Sequence, residues 1–278
     1  MRLLVGFDGS DGGRGALELA RVVCAHTGGS AVVATVLPGE AMPIAEAELG
    51  YERTEESGPL LAEGREALSG LNAEARAYKG TSPAAVLTEL AEAESFDAIV
   101  VGSPHRGAIG RVLLGSVARS LLTGAPCAVF VAPHGYAEDP HTTFGTIAVG
   151  YDGAPEAKRA LRRAEELALE ANSKLVLITA VSMPAYVPGP GYVPTPVPPE
   201  VEELQHDAVG AIDPRLGVET RRGDGSPGAV LVRECEQGVD LLVLGSRGYG
   251  PLTRVLLGSV SRRAAQEAPC PVLVVPRP

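Results

Sequence analysis

Tryptophan is absent from this 278-residue chain, and Phe and Tyr bring the aromatic share to only 4%. A base-stacking platform for single-stranded nucleic acid therefore has little to work with. Basic residues are in the minority, 24 Lys and Arg against 34 Asp and Glu, for a net charge of −10. A general nucleic-acid binder needs a basic face to neutralise phosphates, so that class of partner is excluded. One small anion held by backbone amides is not. No apolar run approaches the roughly 18–20 residues of a membrane span. The start, Met1-Arg2-Leu3-Leu4-Val5-Gly6, enters a strand pattern directly, with no signal-peptide core or cleavage site. The four cysteines, Cys24, Cys127, Cys235 and Cys270, form no Cys-x-x-Cys pair, and the five histidines show no metal-ligand spacing. The chain reads as reduced, cytoplasmic and without a metal held by its own side chains. Its thiols read as structural.

What is present is a repeat. Leu4-Val5-Gly6-Phe7-Asp8-Gly9-Ser10 returns as Ala148-Val149-Gly150-Tyr151-Asp152-Gly153-Ala154, 144 residues on. Asp97 to Ser103 returns as Asp240 to Ser246 at an offset of 143, and Arg111 to Val117 recurs letter for letter as Arg254 to Val260. A period this long is a duplicated domain rather than a solenoid. The expected domains are 1–132 and 146–278. The Pro-, Gly- and polar-rich stretch 133–145 reads as a linker, with His134 and His141 solvated in it.

Each unit alternates short apolar runs with helical periodicity. In the first, strands are expected at 3–7, 31–37, 75–78, 98–101 and 128–131, and helices at 14–25, 58–71, 83–94 and after Ser116. The second repeats that order from 147 to 275. Alternating β and α elements with buried apolar strands predict an α/β fold, a parallel sheet with helices on both faces in each unit. Met183 to Pro199 holds seven prolines. It reads as a stiff extended loop, a lid or spacer, with a proline-motif ligand for a partner as the lesser alternative.

Ligands of open α/β sheets sit at the carboxyl ends of strands, where the winding reverses. The fourth strand of unit two runs into Gly245-Ser246-Arg247-Gly248, and Gly258-Ser259 follows Gly248 after nine intervening residues. Gly245 and Gly248 lack a Cβ, so the backbone can turn tightly and approach a ligand. Gly258-Ser259 opens the last helix, whose free amides and dipole favour an anion. Asp152, at the neighbouring strand end, is an acceptor for a ribose hydroxyl or an adenine amine. The bland alternative is that these glycines are turns and a helix cap.

Val-Gly-Tyr-Asp-Gly at 149–153, Gly-Ser-Pro at 225–227, the run Gly245 to Ser259 and Ala-Pro-Cys-Pro-Val at 268–272 together resemble the universal stress protein family. The resemblance covers nearly the whole chain as two tandem units. It implies Rossmann-like sheets of five strands, ordered 3-2-1-4-5, and ATP binding in members carrying Gly-x2-Gly-x9-Gly-Ser/Thr. Carried over, the glycines fall on Gly245, Gly248 and Gly258, the hydroxyl on Ser259 and the first-strand acid on Asp152, with the Val260 amide as a further phosphate donor. Mg²⁺, where present, would be held through the phosphates. Paired final strands are also implied, here within one chain, with a homodimer and an unidentified protein partner left open.

Unit one departs from this pattern. Asp8, Gly102, Gly115 and Ser116 match, but His105 stands at the second glycine, after Pro104. Two readings stay open: a weak or empty site, or an altered pose in which His105 and Arg106 contact phosphate. Charge favours the second unit, since residues 1–140 hold 10 basic and 18 acidic groups and residues 141–278 hold 14 and 16. No Gly-x4-Gly-Lys-Ser/Thr loop or Gly-x-Ser-x-Gly elbow is present, and no carboxylate pair with a neighbouring base is apparent near the glycine loop. The expectation is a non-enzymatic nucleotide-binding protein with a regulatory, stress-response role. A slow nucleotide hydrolase and a nucleotide-free scaffold are the alternatives.

Overall fold

In the computed structural model, residues 1–39, 57–103, 114–181, 199–246 and 258–276 are described. The expected glycine-loop residues His105, Arg106, Arg247 and Gly248 lie outside them, as does most of the proline-rich stretch.

Unit one runs β1 (Arg2–Gly6), α1 (Asp11–Thr27), β2 (Ser30–Leu37), α2 (Ser57–Ala67), β3 (Asn72–Lys79), α3 (Pro83–Ala93), β4 (Ala98–Gly102), α4 (Ser116–Gly124) and β5 (Ala128–Ala132). Unit two runs β6 (Thr146–Gly150), α5 (Pro155–Ala171), β7 (Lys174–Val181), α6 (Pro199–Gly210), β8 (Val218–Asp224), α7 (Pro227–Cys235), β9 (Leu241–Gly245), α8 (Ser259–Glu267) and β10 (Val272–Val275). Pro199, read as part of the loop, instead opens α6. Proline suits a first helical position, where its missing N–H would have had no partner anyway.

The ten strands form one sheet in the order β3-β2-β1-β4-β5-β10-β9-β6-β7-β8. Each half is a parallel 3-2-1-4-5 sheet, and the halves meet through an antiparallel β5–β10 pair. At the seam Phe130 faces Leu273, while Val131 faces Val272 and Val129 faces Val274. Phe130 and Leu273 are 143 residues apart, the repeat offset, so each is the other's counterpart. An approximate two-fold axis therefore passes between them, and the chain pairs with itself as two copies would.

Apart from the outer strands β3 and β8, which are mixed and partly exposed, the strands are near-continuous apolar runs because both faces are covered. One core lies under α1, α2, α5 and α6, and the other under α3, α4, α7 and α8. Both cores cross the seam. The linker also contributes, against the reading that it is solvated. Tyr136 and Phe144 are buried, and the His26 ring stacks on Phe144. His141 is half-buried, stacks on Tyr136 and pairs with Asp240 at 2.8 Å. An apolar seam this close to the linker leaves its aromatic residues somewhere to go.

Cys24, Cys235 and Cys270 are buried and Cys127 is partly so. Burial pushes the Cys24 thiol up to about 11 and the Cys127 thiol up to about 12, which disfavours the reactive thiolate. Among the described residues no helix is long and apolar enough to cross a membrane, and no group of three or more His, Cys, Asp or Glu could hold a metal ion.

Candidate functional site

A cavity of about 140 Å³ opens at the carboxyl ends of β6, β7 and β9. It lies where β6 stands between β7 and β9, so the winding reverses there, as the position of ligands in such sheets requires. Ile178, Ala180, Leu231 and Leu244 give it an apolar wall, and Asp152, Gly245, Gly258 and Val260 give it a polar end. Four residues expected from the sequence are thus brought together from three separate stretches of chain.

Asp152 is exposed, and its Oδ1 accepts the Ala154 N–H at 3.1 Å. That bond closes a short turn at Gly153, whose φ of 77° is left-handed. A Cβ at Gly153 would also meet Leu204 Cδ1 at 2.6 Å, so the leucine would have to shift, and the backbone conformation itself favours glycine there. The turn leads into α5, whose N-cap Ala154 offers no side-chain acceptor. Gly258 at the N-cap of α8 has none to offer, and Ser226 at the N-cap of α7 makes no capping bond. Residues from the first turns of all three helices line the cavity: Glu156 and Ala157, Pro227, and Val260 and Ser261. Helix amino termini carry partial positive charge and amides in want of acceptors, so this end of the cavity suits an anion.

Gly245 has a packing role beside the expected one. A Cβ there would stand 2.5 Å from the carbonyl oxygen of Glu156 and 2.9 Å from its Cβ. The glycine lets the first turn of α5 lie directly on the end of β9, and the ligand cavity is formed beside that contact. Gly102 does the same for Gly12 of α1 in unit one. Ser259 opens α8 but is exposed and does not line the cavity. Ser261, two residues on, is buried in the cavity wall and donates to the Gly245 carbonyl at 3.2 Å. Glu156 was not anticipated either, and with Asp152 it places two carboxylates around the same cavity. Its separation from the glycine loop by 89 positions hides it from a motif search.

In unit one, Asp8 occupies the place of Asp152, and its Oδ1 accepts both the N–H of Ser10 at 3.0 Å and its hydroxyl at 2.5 Å. Ser10 in turn caps α1 by accepting from Gly13. Gly115 and Ser116 open α4 just as Gly258 and Ser259 open α8.

A model of the universal stress protein family matches residues 1–133 and again 143–276. A universal stress protein of Mycolicibacterium smegmatis is 35% identical over 192 residues, which cover 66% of this chain and 62% of that protein, less than two thirds of its length. One from Mycobacterium bovis is 28% identical over 306 aligned positions, covering 99% of this chain and 100% of its own. The crystal structure of a universal stress protein from Archaeoglobus fulgidus aligns with a TM-score of 0.73 at 22% identity, over 100% of this chain and 98% of that one. This last similarity is one of fold.

Proposed function

This chain belongs to the universal stress protein family, and from that premise we propose that its second unit binds an adenine nucleotide, ATP foremost, as a regulatory ligand in a stress response. The observation that carries the reading is the convergence of three helix amino termini, none capped by a side chain, on one cavity with an apolar wall. The apolar wall fits a base, Asp152 fits a ribose hydroxyl or the adenine amine, and the Gly258–Val260 turn fits phosphate through its backbone. Because most of the grip comes from backbone amides, it is compatible with a net charge of −10. Mg²⁺ would enter bound to the phosphates, since that ion is commonly held by substrate phosphates with few protein ligands.

The reading is of a binding protein rather than an enzyme. Two carboxylates flank the cavity, but no lysine or histidine accompanies them among its described lining residues. Mass spectrometry of the denatured, purified protein tests the proposal most directly, through any nucleotide released. Calorimetry with ATP follows, with a stoichiometry near one per chain expected, because unit one is the more acidic half and has His105 in place of a loop glycine. Asp152→Asn keeps an acceptor for the Ala154 amide and should weaken binding by roughly tenfold, the scale of a lost charge-assisted hydrogen bond. Unchanged affinity in the folded variant would remove Asp152 from the site.

A further inference from the structure

The two repeats place a cavity at equivalent points beside the seam and fill it differently. One is lined by Ser246, Leu122, Ala125 and Pro276 among others, and only about 10 Å³ of it stays open. The other is lined by Ser103, Ala265, Ala268 and Pro133, the counterparts of those four at an offset of 143, and it measures about 220 Å³. Alanine at 265 in place of leucine takes three carbons out of the wall, and the space opens there. It is far larger than one water molecule needs. Its walls come from unit one at Ser103, from the linker at Pro133 and His134, and from unit two at the end of α8.

Ser103 is only 1% exposed. Its N–H donates to the Ala132 carbonyl at 2.9 Å, but its Oγ is buried with no hydrogen-bond partner. A hydroxyl is donor and acceptor at once, and leaving one buried and unpaired is costly unless a guest pairs it. A second wall is the carboxyl end of α8, from Ala265 to Ala268. Pro269 and Pro271 have no N–H, so the carbonyls of Ala265 and Glu267 have no donor four residues on. That end also carries the negative pole of the helix dipole. Glu267 adds a carboxylate, whose Oε2 accepts from Arg263 at 2.8 Å. No lysine or arginine is among the described lining residues. Ala265, Ala268 and the proline rings make the rest apolar, so the cavity suits a guest that is cationic at one end and apolar at the other.

We propose that this cavity is a second ligand site, for a small organic ammonium ion. The charged head donates to the carbonyls that end α8 and to the Ser103 hydroxyl, and the carbon chain lies on Ala265, Ala268 and Pro133. An anion is opposed by the helix dipole and by Glu267. No described residue lines both this cavity and the nucleotide cavity, so the proposal stands apart from the nucleotide reading. An occupant touches unit one, the linker and unit two, and so braces the seam it sits beside.

The test is titration of the full chain, followed by NMR, with three probes of one shape: butylammonium, 1-butanol and butyrate. Butylammonium should bind about tenfold or more tightly than 1-butanol, the scale of a charge-assisted hydrogen bond, and butyrate should bind most weakly. Ala265→Leu restores the residue of the closed counterpart and should weaken butylammonium by about tenfold or more while the melting temperature holds. Ser103→Ala should weaken it by about threefold or more, yet leave the melting temperature of the ligand-free protein unchanged or raised, since an unpaired buried hydroxyl is lost. A merely structural Ser103 would move the melting temperature and leave the affinity alone. No binding of butylammonium by the wild type, equal affinity for 1-butanol, or unchanged affinity in a folded Ala265→Leu variant overturns the proposal. Should that variant fail to fold, unchanged affinity in Ser103→Ala overturns it instead.

Discussion

At the scale of single residues, the position that decides most is Gly245. Its place at a strand end suits an approach of backbone to ligand, and it lines the cavity. It is also where backbone meets backbone, with α5 resting on the end of β9. Gly245→Ala should therefore cost about 1–3 kcal/mol of stability by overpacking, and it should do so with no nucleotide present. Chemical denaturation of the ligand-free protein measures this. A variant as stable as the wild type would return the glycine to a ligand-only role. Ser261 teaches the complementary point. It stands two residues beyond the motif hydroxyl and reaches the cavity wall because helix pitch turns it inward while Ser259 faces solvent.

At the scale of elements, the two units share a plan and differ in how their helices begin. Ser10 caps α1 and Ser82 caps α3, each accepting from an amide three residues on. Their counterparts Ala154 and Ser226 make no such bond. Ser10→Ala should cost about 1 kcal/mol, and Ala154→Ser, placed on extended backbone at φ −62° and ψ 155°, should stabilise by about half that or more. Thermal or denaturant unfolding of the two variants reads both signs. The linker supplies a second element-scale effect. Burial works against ionisation of Asp240, but His141 and the Thr146 amide outweigh it and hold the carboxylate below its usual range. A carboxylate depressed in the folded state stabilises fully above its unfolded value, near pH 4, and loses that contribution as pH falls through the lower folded value. Asp240→Asn should thus lower the melting temperature at pH 7 and flatten its decline below about pH 4. Parallel curves for variant and wild type down to pH 2.5 would show that the pair is not linked to folding.

At the scale of the whole molecule, the two repeats are covalently joined and also share both cores through the β5–β10 seam. A shared core predicts shared cooperativity. Calorimetry should show a single unfolding transition whose calorimetric and van't Hoff enthalpies agree. Phe130 is fully buried opposite Leu273. Phe130→Ala should cost about 3–5 kcal/mol and lower that one transition as a unit. Two resolved transitions, with only one moved by the substitution, would mean that the halves fold independently. The seam also removes two sheet edges, leaving β3 and β8 as the outermost of the described strands.

The sequence by itself determined the repeat, the order of elements and their bounds to within a few residues. Those features rest on local signals: apolar runs bounded by turns, helical periodicity, and caps such as Ser82-Pro83. It also led to Asp152, Gly245 and Gly258, because a strand end and a helix start are readable where they stand, while Val260 followed from the family resemblance. Tertiary structure alone decided which face each residue serves. Burying Tyr136 and Phe144 needed the seam, whose two sides lie 143 residues apart in the chain. Bringing Glu156 to Gly245 needed α5 to cross the end of β9. Separation along the chain says nothing of contacts made by packing, since these depend on how whole layers meet rather than on any neighbour in sequence.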